Sequence, residues 1–238
     1  MGVLALHGSS YKAGQLAALD RHNYRLNQHY SNREIDSNRT KDNIVFIRPD
    51  GGLYRAAKRR IEQEVLPYQK KGLRKDANWA VEFVVTVPEG VREQKETSMR
   101  YCKVVLDYFG KRIGAENILS AVLHMDETTP HMHFDFTPIV GHSLSSKKLM
   151  TRSFLRSLHD ELPLYLQKRG FDVKRGKHEP ERFGEKNIRQ YKQDMEQQKQ
   201  TLGKQIQTLQ ELRQQLQGEN YRIAERLIEQ VKSRGHSR

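Results

Sequence analysis

The sequence is poor in the features that would declare a compartment or a cofactor. Its single cysteine, Cys102, excludes an internal disulfide framework and any cysteine-built zinc module, and agrees with a reducing, cytoplasmic setting. No run approaches the roughly 18 apolar residues that a membrane span needs. The start, Met1-Gly2-Val3-Leu4-Ala5-Leu6, lacks the cationic stretch of a signal peptide, and Leu6 stands where a myristoylation signal wants Ser or Thr. Neither GxGxxG nor GxxxxGK[ST] occurs, so a nucleotide cofactor finds no loop for its phosphates. Negative charge is the other shortage. Against 42 Lys plus Arg stand 29 Asp plus Glu, a net charge of +13 over 238 residues. An anionic partner follows, although DNA, RNA and an acidic membrane surface would each satisfy charge alone.

What is present divides near Phe183-Gly184-Glu185-Lys186. Residues 1–185 spread aromatics, Gly and Pro as a folded domain does, whereas residues 186–238 are Gln-rich and free of Pro. From Lys186 onward 11 basic residues meet 6 acidic ones, which leaves 31 against 23 in the first part. The globular part is therefore basic in its own right. In the second part Leu202, Leu209, Leu216 and Ile223 recur every seven residues, with Ile206, Arg213, Asn220 and Leu227 on the companion column. Such a seam suits an amphipathic helix, either a short coiled coil making a homodimer through residues 200–231 or a solvated helix whose stripe packs within the chain.

Within residues 1–185 helical and strand patterns alternate. Strands are expected at 3–7, 44–47, 79–87, 117–124 and 131–139. Helices are expected at 14–30, with Leu16, Leu19 and Leu26 as the apolar stripe, and at 53–66, 91–113 and 154–169. Pro163 should strain or break the last of these. This is a mixed helix-and-strand chain.

The densest chemistry lies in His124-Met-Asp-Glu-Thr-Thr-Pro-His-Met-His133, three histidines within ten residues. In a strand His131, His133 and Asp135 share one face, and Met132, Phe134 and Phe136 share the other. A short return from the preceding strand lets His124 join His131 and His133. Three converging imidazoles make a divalent-metal site that suits zinc, manganese, nickel or a loosely held magnesium. Asp126 and Glu127, in the connection, are available as ligand, orienter or proton acceptor. A single histidine would be an ordinary surface residue; three at this spacing favour metal. On the first helix His22, Arg25 and His29 fall on one face if the helix runs to Tyr30, a pattern fit to handle a phosphate.

Together these stretches resemble the Mob/Pre family of plasmid mobilisation relaxases within the HUH endonuclease group. The resemblance rests on Lys12-Ala-Gly14, Arg21-His-Asn-x-Arg25, His29-x-Ser-Asn32, Arg74-Lys-Asp-Ala77, His124-x-Asp-Glu-x-Thr-Pro-His-x-His133 and Leu144-Ser-Ser-Lys147. Glu161-Leu-Pro163 and Arg175-Gly-Lys177 extend it over essentially residues 1–185.

The resemblance implies an α+β fold, an antiparallel sheet flanked by helices, followed by a C-terminal helical extension. It implies metal-dependent nicking of DNA at an origin of transfer. His124, His131 and His133 would hold Mn2+ or Mg2+, with Asp126 and Asp135 behind them. His22 would attack the phosphate and form a covalent phosphohistidine, and Glu127 would orient it or take its proton. Lys12, Arg21, Asn23, Arg25, Arg74, Lys75 and Lys147 would contact DNA, single-stranded around the nick. Other transfer proteins are further expected partners.

One departure concerns Asn43-Ile-Val-Phe46. Ile44 replaces a tyrosine common in the family, although Tyr11, Tyr24, Tyr30 and Tyr54 stay near the site in sequence. Two other readings stand beside the relaxase: a non-cleaving DNA-binding recombination or replication accessory on the same scaffold, and a metal hydrolase that does not act on DNA.

Overall fold

The alternating strand His-Met-His-Phe-Asp-Phe can satisfy its apolar residues only by burying one face of a sheet. In a computed structural model, which describes residues 2–30, 32–176, 188–215 and 220–236, this is how the core is built. The strands are β1 (Gly2–Leu4), β2 (Leu6–Lys12), β3 (Ile44–Ile47), β4 (Asn78–Thr86), β5 (Ile118–His124), β6 (His131–Phe136), β7 (Ile139–Val140), β8 (Ser143–Leu144) and β9 (Val173–Arg175). The central sheet has five strands in the order β2-β4-β6-β5-β3, antiparallel throughout. β1 pairs in parallel with β9, and β7 with β8 forms a small hairpin.

The helices of the same unit are α1 (Leu16–Asn23), α2 (Leu53–Glu64), α3 (Lys95–Ile113), α4 (Ser146–Leu149) and α5 (Arg152–Gln167). One face of the sheet, carrying Phe83, Val85, Ala121, Leu123, Met132, Phe134 and Phe136, packs on Tyr101, Val105 and Phe109 of α3 and on Leu158, Leu162 and Leu166 of α5. A smaller cluster joins Leu16 and Leu19 of α1 to Leu53, Ala56 and Ala57 of α2, with Ala80 and Leu119 from the sheet.

Pro163 does not break its helix: α5 runs unbroken from Arg152 to Gln167. A proline inside a helix costs about 3 kcal/mol. Leu158, Leu162 and Leu166 are fully buried from the same stripe, and at about 1.5–3 kcal/mol each they outweigh that cost.

The first helix is shorter than its composition suggests. It stops at Asn23, with Arg25 in the left-handed region at φ 54°. The Leu26 amide donates to the Arg21 carbonyl at 2.8 Å, and the Arg25 amide to the His22 carbonyl at 3.2 Å. This is a Schellman ending built on arginine where glycine is usual. His22, Arg25 and His29 therefore do not share a helical face; His29 and Leu26 are exposed beyond the helix.

The chain divides into two compact units, Met1–Gly176 and Lys177–Arg238, a partition that falls before the composition shift near Phe183. In the second unit the expected single helix is two, α6 (Ile188–Gln215) and α7 (Asn220–His236), packed on each other. Leu202, Ile206 and Leu209 are half-buried, and Ile228 is buried. The seam residue Leu216 lies outside the described residues, as do the side chains of Arg213, Asn220 and Ile223. Among the described residues no helix is long and apolar enough to cross a membrane.

Candidate active site at the histidine cluster

Antiparallel pairing sets the site. His124 lies opposite His131 across β5 and β6, so their side chains rise from the same face. His133 follows two residues along β6. The rings of His124 and His133 are 4.7 Å apart between centroids, and those of His131 and His133 are 4.9 Å apart. Each of the three offers a nitrogen within 4.8 Å of the others. This polar face is not open to solvent. α1 and the segment after it cover it, leaving His124 fully buried and His133 only 7% exposed.

The hydrogen bonds fix which ring nitrogens carry lone pairs. Nδ1 of His133 donates to Glu82 Oε1 at 2.7 Å, and Nδ1 of His131 to the Thr129 carbonyl at 2.8 Å. Each therefore keeps an unprotonated Nε2. The His133 Nε2 is buried with no protein partner, an orphaned acceptor that suits a metal ion. His124 is reversed: its Nε2 donates to the Asn23 carbonyl at 2.8 Å, so its lone pair is on Nδ1. Arg25 Nη2 lies 3.0 Å from that Nδ1. Coordination through His124 thus requires the lone pair now facing the guanidinium. Burial, followed by the neighbouring His133, depresses the pKa of both His124 and His131 and keeps the rings neutral, as ligands must be.

His22, in the last turn of α1, faces this cluster. Its ring centroid is 5.6 Å from that of His133 and 6.0 Å from that of His124. Burial lowers its pKa, with His133 and then Arg25 adding to the effect. The imidazole is therefore neutral near pH 7 and has a lone pair to offer.

Arg25, expected to grip phosphate, is instead an internal clamp. Its Nε and Nη2 donate to Asp126 Oδ2 and Oδ1, both at 2.9 Å, and Nη2 also donates to Glu127 Oε1 at 2.6 Å. The guanidinium side chain is 2% exposed. Asp126 further accepts from Thr40 and Asn43. Burial tends to raise its pKa, but the hydrogen bonds from Arg25 and Asn43 outweigh burial and hold it below the usual carboxylate range. Asp126 shapes the loop, and Asn32 holds the other Glu127 oxygen at 2.8 Å. Asn23, expected at the DNA, is also buried: its amide donates to Glu82 and to Asp135. Asp135 is fully buried beside Glu82, and burial first, then the Glu82 charge, raises its pKa well above the ordinary value.

A family model described as plasmid recombination enzyme, Mob_Pre, matches residues 1–193. The chain belongs to this family. A plasmid recombination enzyme of Lactiplantibacillus plantarum is 35% identical over 176 residues, covering 72% of this chain and 48% of the relative. One of Bacillus thuringiensis is 32% identical over 194 residues, covering 80% and 43%. The chain thus spans less than half the length of these curated relatives. Among solved structures, the Mn-bound MobM relaxase domain in complex with 22-nucleotide oriT DNA of plasmid pMV158 matches with a TM-score of 0.73 at 27% identity. That match covers 81% of this chain and 99% of the MobM domain.

Within this Mob/Pre framework the remaining expected residues separate by exposure. Lys12 at the end of β2, Arg21 on α1, Arg74 and Lys75 before β4, and Lys147 on α4 all stand exposed. Arg74 has a surface pairing with Asp76 at 3.3 Å. Ile44 pairs with Leu123 and packs against the α3–α5 core, so position 44 looks away from the histidines. Glu82 escaped the sequence reading. The available signal was one carboxylate inside the otherwise apolar strand Trp-Ala-Val-Glu-Phe-Val-Val. Asn32 and Asn43 lay in the stretches His29-x-Ser-Asn32 and Asn43-Ile-Val-Phe46, but nothing in either pointed to Glu127 or Asp126 as its partner.

Proposed function

We propose that this chain is a relaxase that nicks one strand of a plasmid origin of transfer, with residues 1–185 as the nicking domain. The observation that carries the proposal is the placement of neutral His22 beside the three-histidine cluster, at 5.6 Å between its ring and that of His133. In this reading His22 and the metal-binding cluster act on the same scissile phosphate. The relatives' names and the Mn-bound, oriT-bound MobM domain support the same reading.

His124, His131 and His133 would hold Mn2+ or Mg2+, which when bound polarises phosphate oxygens and stabilises their developing charge. The His22 lone pair forms a bond to phosphorus while the bond from phosphorus to the 3′ oxygen breaks. The departing oxygen takes a proton from solvent and becomes a free 3′-OH. The phosphate stays on His22 at the 5′ end, and the attacking His22 ring sheds its remaining N–H proton. Glu127, held by Arg25 and Asn32, is the proposed acceptor of that proton. Reversal rejoins the strand without ATP.

The tyrosines support a histidine nucleophile by their engagements. Tyr11 donates to Glu82 at 3.0 Å, and burial followed by the Glu82 charge pushes its pKa up. Tyr24 donates to the Ile47 carbonyl at 2.9 Å, and burial raises it to about 12. Tyr30 accepts from the Asn27 amide, and Tyr54 stacks on Trp79.

The exposed cations Lys12, Arg21, Arg74, Lys75 and Lys147 would neutralise backbone phosphate, making binding strongly salt-dependent. In the second unit Leu212 and Leu227 are exposed at 48% and 45%, which supports a contact there for a second copy or another transfer protein. Light scattering on the full chain tests the homodimer, and a monomer at micromolar concentration refutes it.

The deciding experiment incubates the protein with supercoiled origin DNA and Mn2+. The expected product is a nicked strand bearing an SDS-resistant, protease-sensitive 5′ adduct. Absence of both on the cognate origin defeats the relaxase reading. Full adduct formation by His22→Ala defeats only the nucleophile assignment. Tight binding to the origin without cleavage would favour the accessory reading.

A further inference from the structure

Resting on that reading of the site, we infer that Glu82 is the positioning residue that couples the metal-ligand histidines to the helix carrying the nucleophile. Glu82 lies on β4 opposite Asp135, one pleat from His133, and is 5% exposed. Its two oxygens take three donors from three elements. Oε1 accepts from His133 Nδ1 at 2.7 Å and from Asn23 Nδ2 at 3.3 Å, and Oε2 accepts from Tyr11 at 3.0 Å.

Each of these bonds has a consequence. The bond from His133 Nδ1 places the ring proton on the sheet side and turns the bare Nε2 toward the cluster. Only that tautomer can offer Nε2 as a ligand without losing a proton. The bond from Asn23 ties Glu82 to the residue next to His22, at the end of α1. Asn23 also accepts the Nε2 proton of His124 through its backbone carbonyl. The end of the nucleophile helix is thereby linked to two histidines of the cluster, to one directly and to the other through Glu82. Tyr11 holds the second oxygen so that the carboxylate cannot rotate away. Glu82 touches neither DNA nor a reacting atom, so its part is to set tautomer and spacing.

The amide of Glu82→Gln cannot accept all three donors, because one of its two polar atoms is itself a donor. Side-chain nitrogen–proton correlation spectra of the EDTA-treated full chain read the tautomers. Wild-type His133 should be the Nδ1–H form, and Glu82→Gln should shift it to a mixture. Titration with Mn2+ alone, followed by electron paramagnetic resonance, should show binding about 10- to 100-fold weaker in Glu82→Gln. Glu62→Gln, the same charge change on the exposed face of α2, should leave both readouts unchanged.

An Nε2–H tautomer for His133 in the wild type overturns the inference, and needs no variant to fold. So does wild-type Mn2+ affinity in a folded Glu82→Gln. Neither readout involves DNA. A protein with the expected tautomer and Mn2+ binding that does not nick origin DNA would refute the relaxase reading and leave the role of Glu82 standing.

Discussion

Replacing Arg25 by alanine separates an internal clamp from a phosphate-gripping arginine. The guanidinium makes two hydrogen bonds to Asp126 and one to Glu127, and the side chains of Arg25 and Asp126 are 2% and 0% exposed. Removing one partner of a buried pair leaves the other charged and unpaired, at a cost of about 3–5 kcal/mol. Asp126 retains its bonds from Thr40 and Asn43, so the loss should fall near about 3 kcal/mol. For a domain of this size that is a fall of about 6–12 °C in melting temperature. The assay is thermal unfolding followed by circular dichroism, with EDTA so that no ion props up the site. Arg74→Ala is the comparator, because its pairing with Asp76 is at the surface, 82% and 68% exposed, where ion pairs contribute about 0–1 kcal/mol. Backbone strain supplies a second check. Arg25 sits at φ 54°, and glycine relieves about 1 kcal/mol there, so Arg25→Gly should be more stable than Arg25→Ala. If Arg25→Ala costs no more than Arg74→Ala, the clamp is wrong and Arg25 returns to the list of DNA contacts.

Further outcomes follow from the same geometry. Burial first, with charged neighbours adding to it, holds His22, His124 and His131 below the ordinary histidine pKa of 6.5. The unfolded chain then binds protons that the folded one refuses. Stability of the metal-free protein is therefore complete above about pH 6.5 and declines as pH falls below it; urea titrations from pH 8 to 5 should show the midpoint dropping, and a flat profile contradicts neutral buried rings. Phe134→Ala, in the middle of the α3–α5 layer at 0% exposure, should cost about 3–5 kcal/mol in chemical denaturation. A fragment of residues 1–176 contains the whole first unit and should melt cooperatively and bind Mn2+ by calorimetry; a molten fragment would make the second unit part of the fold. Lys147→Ala, exposed on α4, should weaken binding to origin DNA and reduce the slope of log affinity against log salt by about 1. An unchanged slope removes Lys147 from the proposed phosphate contacts.

Legibility in the sequence followed the range of the physics involved. Alternation along His131–Phe136 is a local pattern, and it placed Met132, Phe134 and Phe136 in the core and the histidines on the other face. The short return from His124 to His131 was equally local, and the cluster could be assembled before any coordinates. What failed depended on partners distant in sequence. Nothing between Asn23 and Tyr30 announces a helix end, because no glycine or proline stands there. The left-handed turn at Arg25 is held instead by carboxylates about a hundred positions away. Asn23 likewise read as a polar contact and became buried because β4 supplies Glu82 beneath it. In the second unit Gly218 and Asn220 offered a break in the heptad seam, which periodicity alone passed over. The same distinction bears on chemistry. His22 and the three histidines were visible as residue types, whereas the tautomers of His133, His131 and His124 are set by Glu82, Thr129 and the Asn23 carbonyl. The site in this chain is therefore specified twice: by its motif, which supplies the proposed ligands and nucleophile, and by hydrogen-bond partners, most of them outside the motif, which decide the direction in which His124, His131 and His133 offer their lone pairs. Substitutions in the second set should leave the motif intact and still silence it.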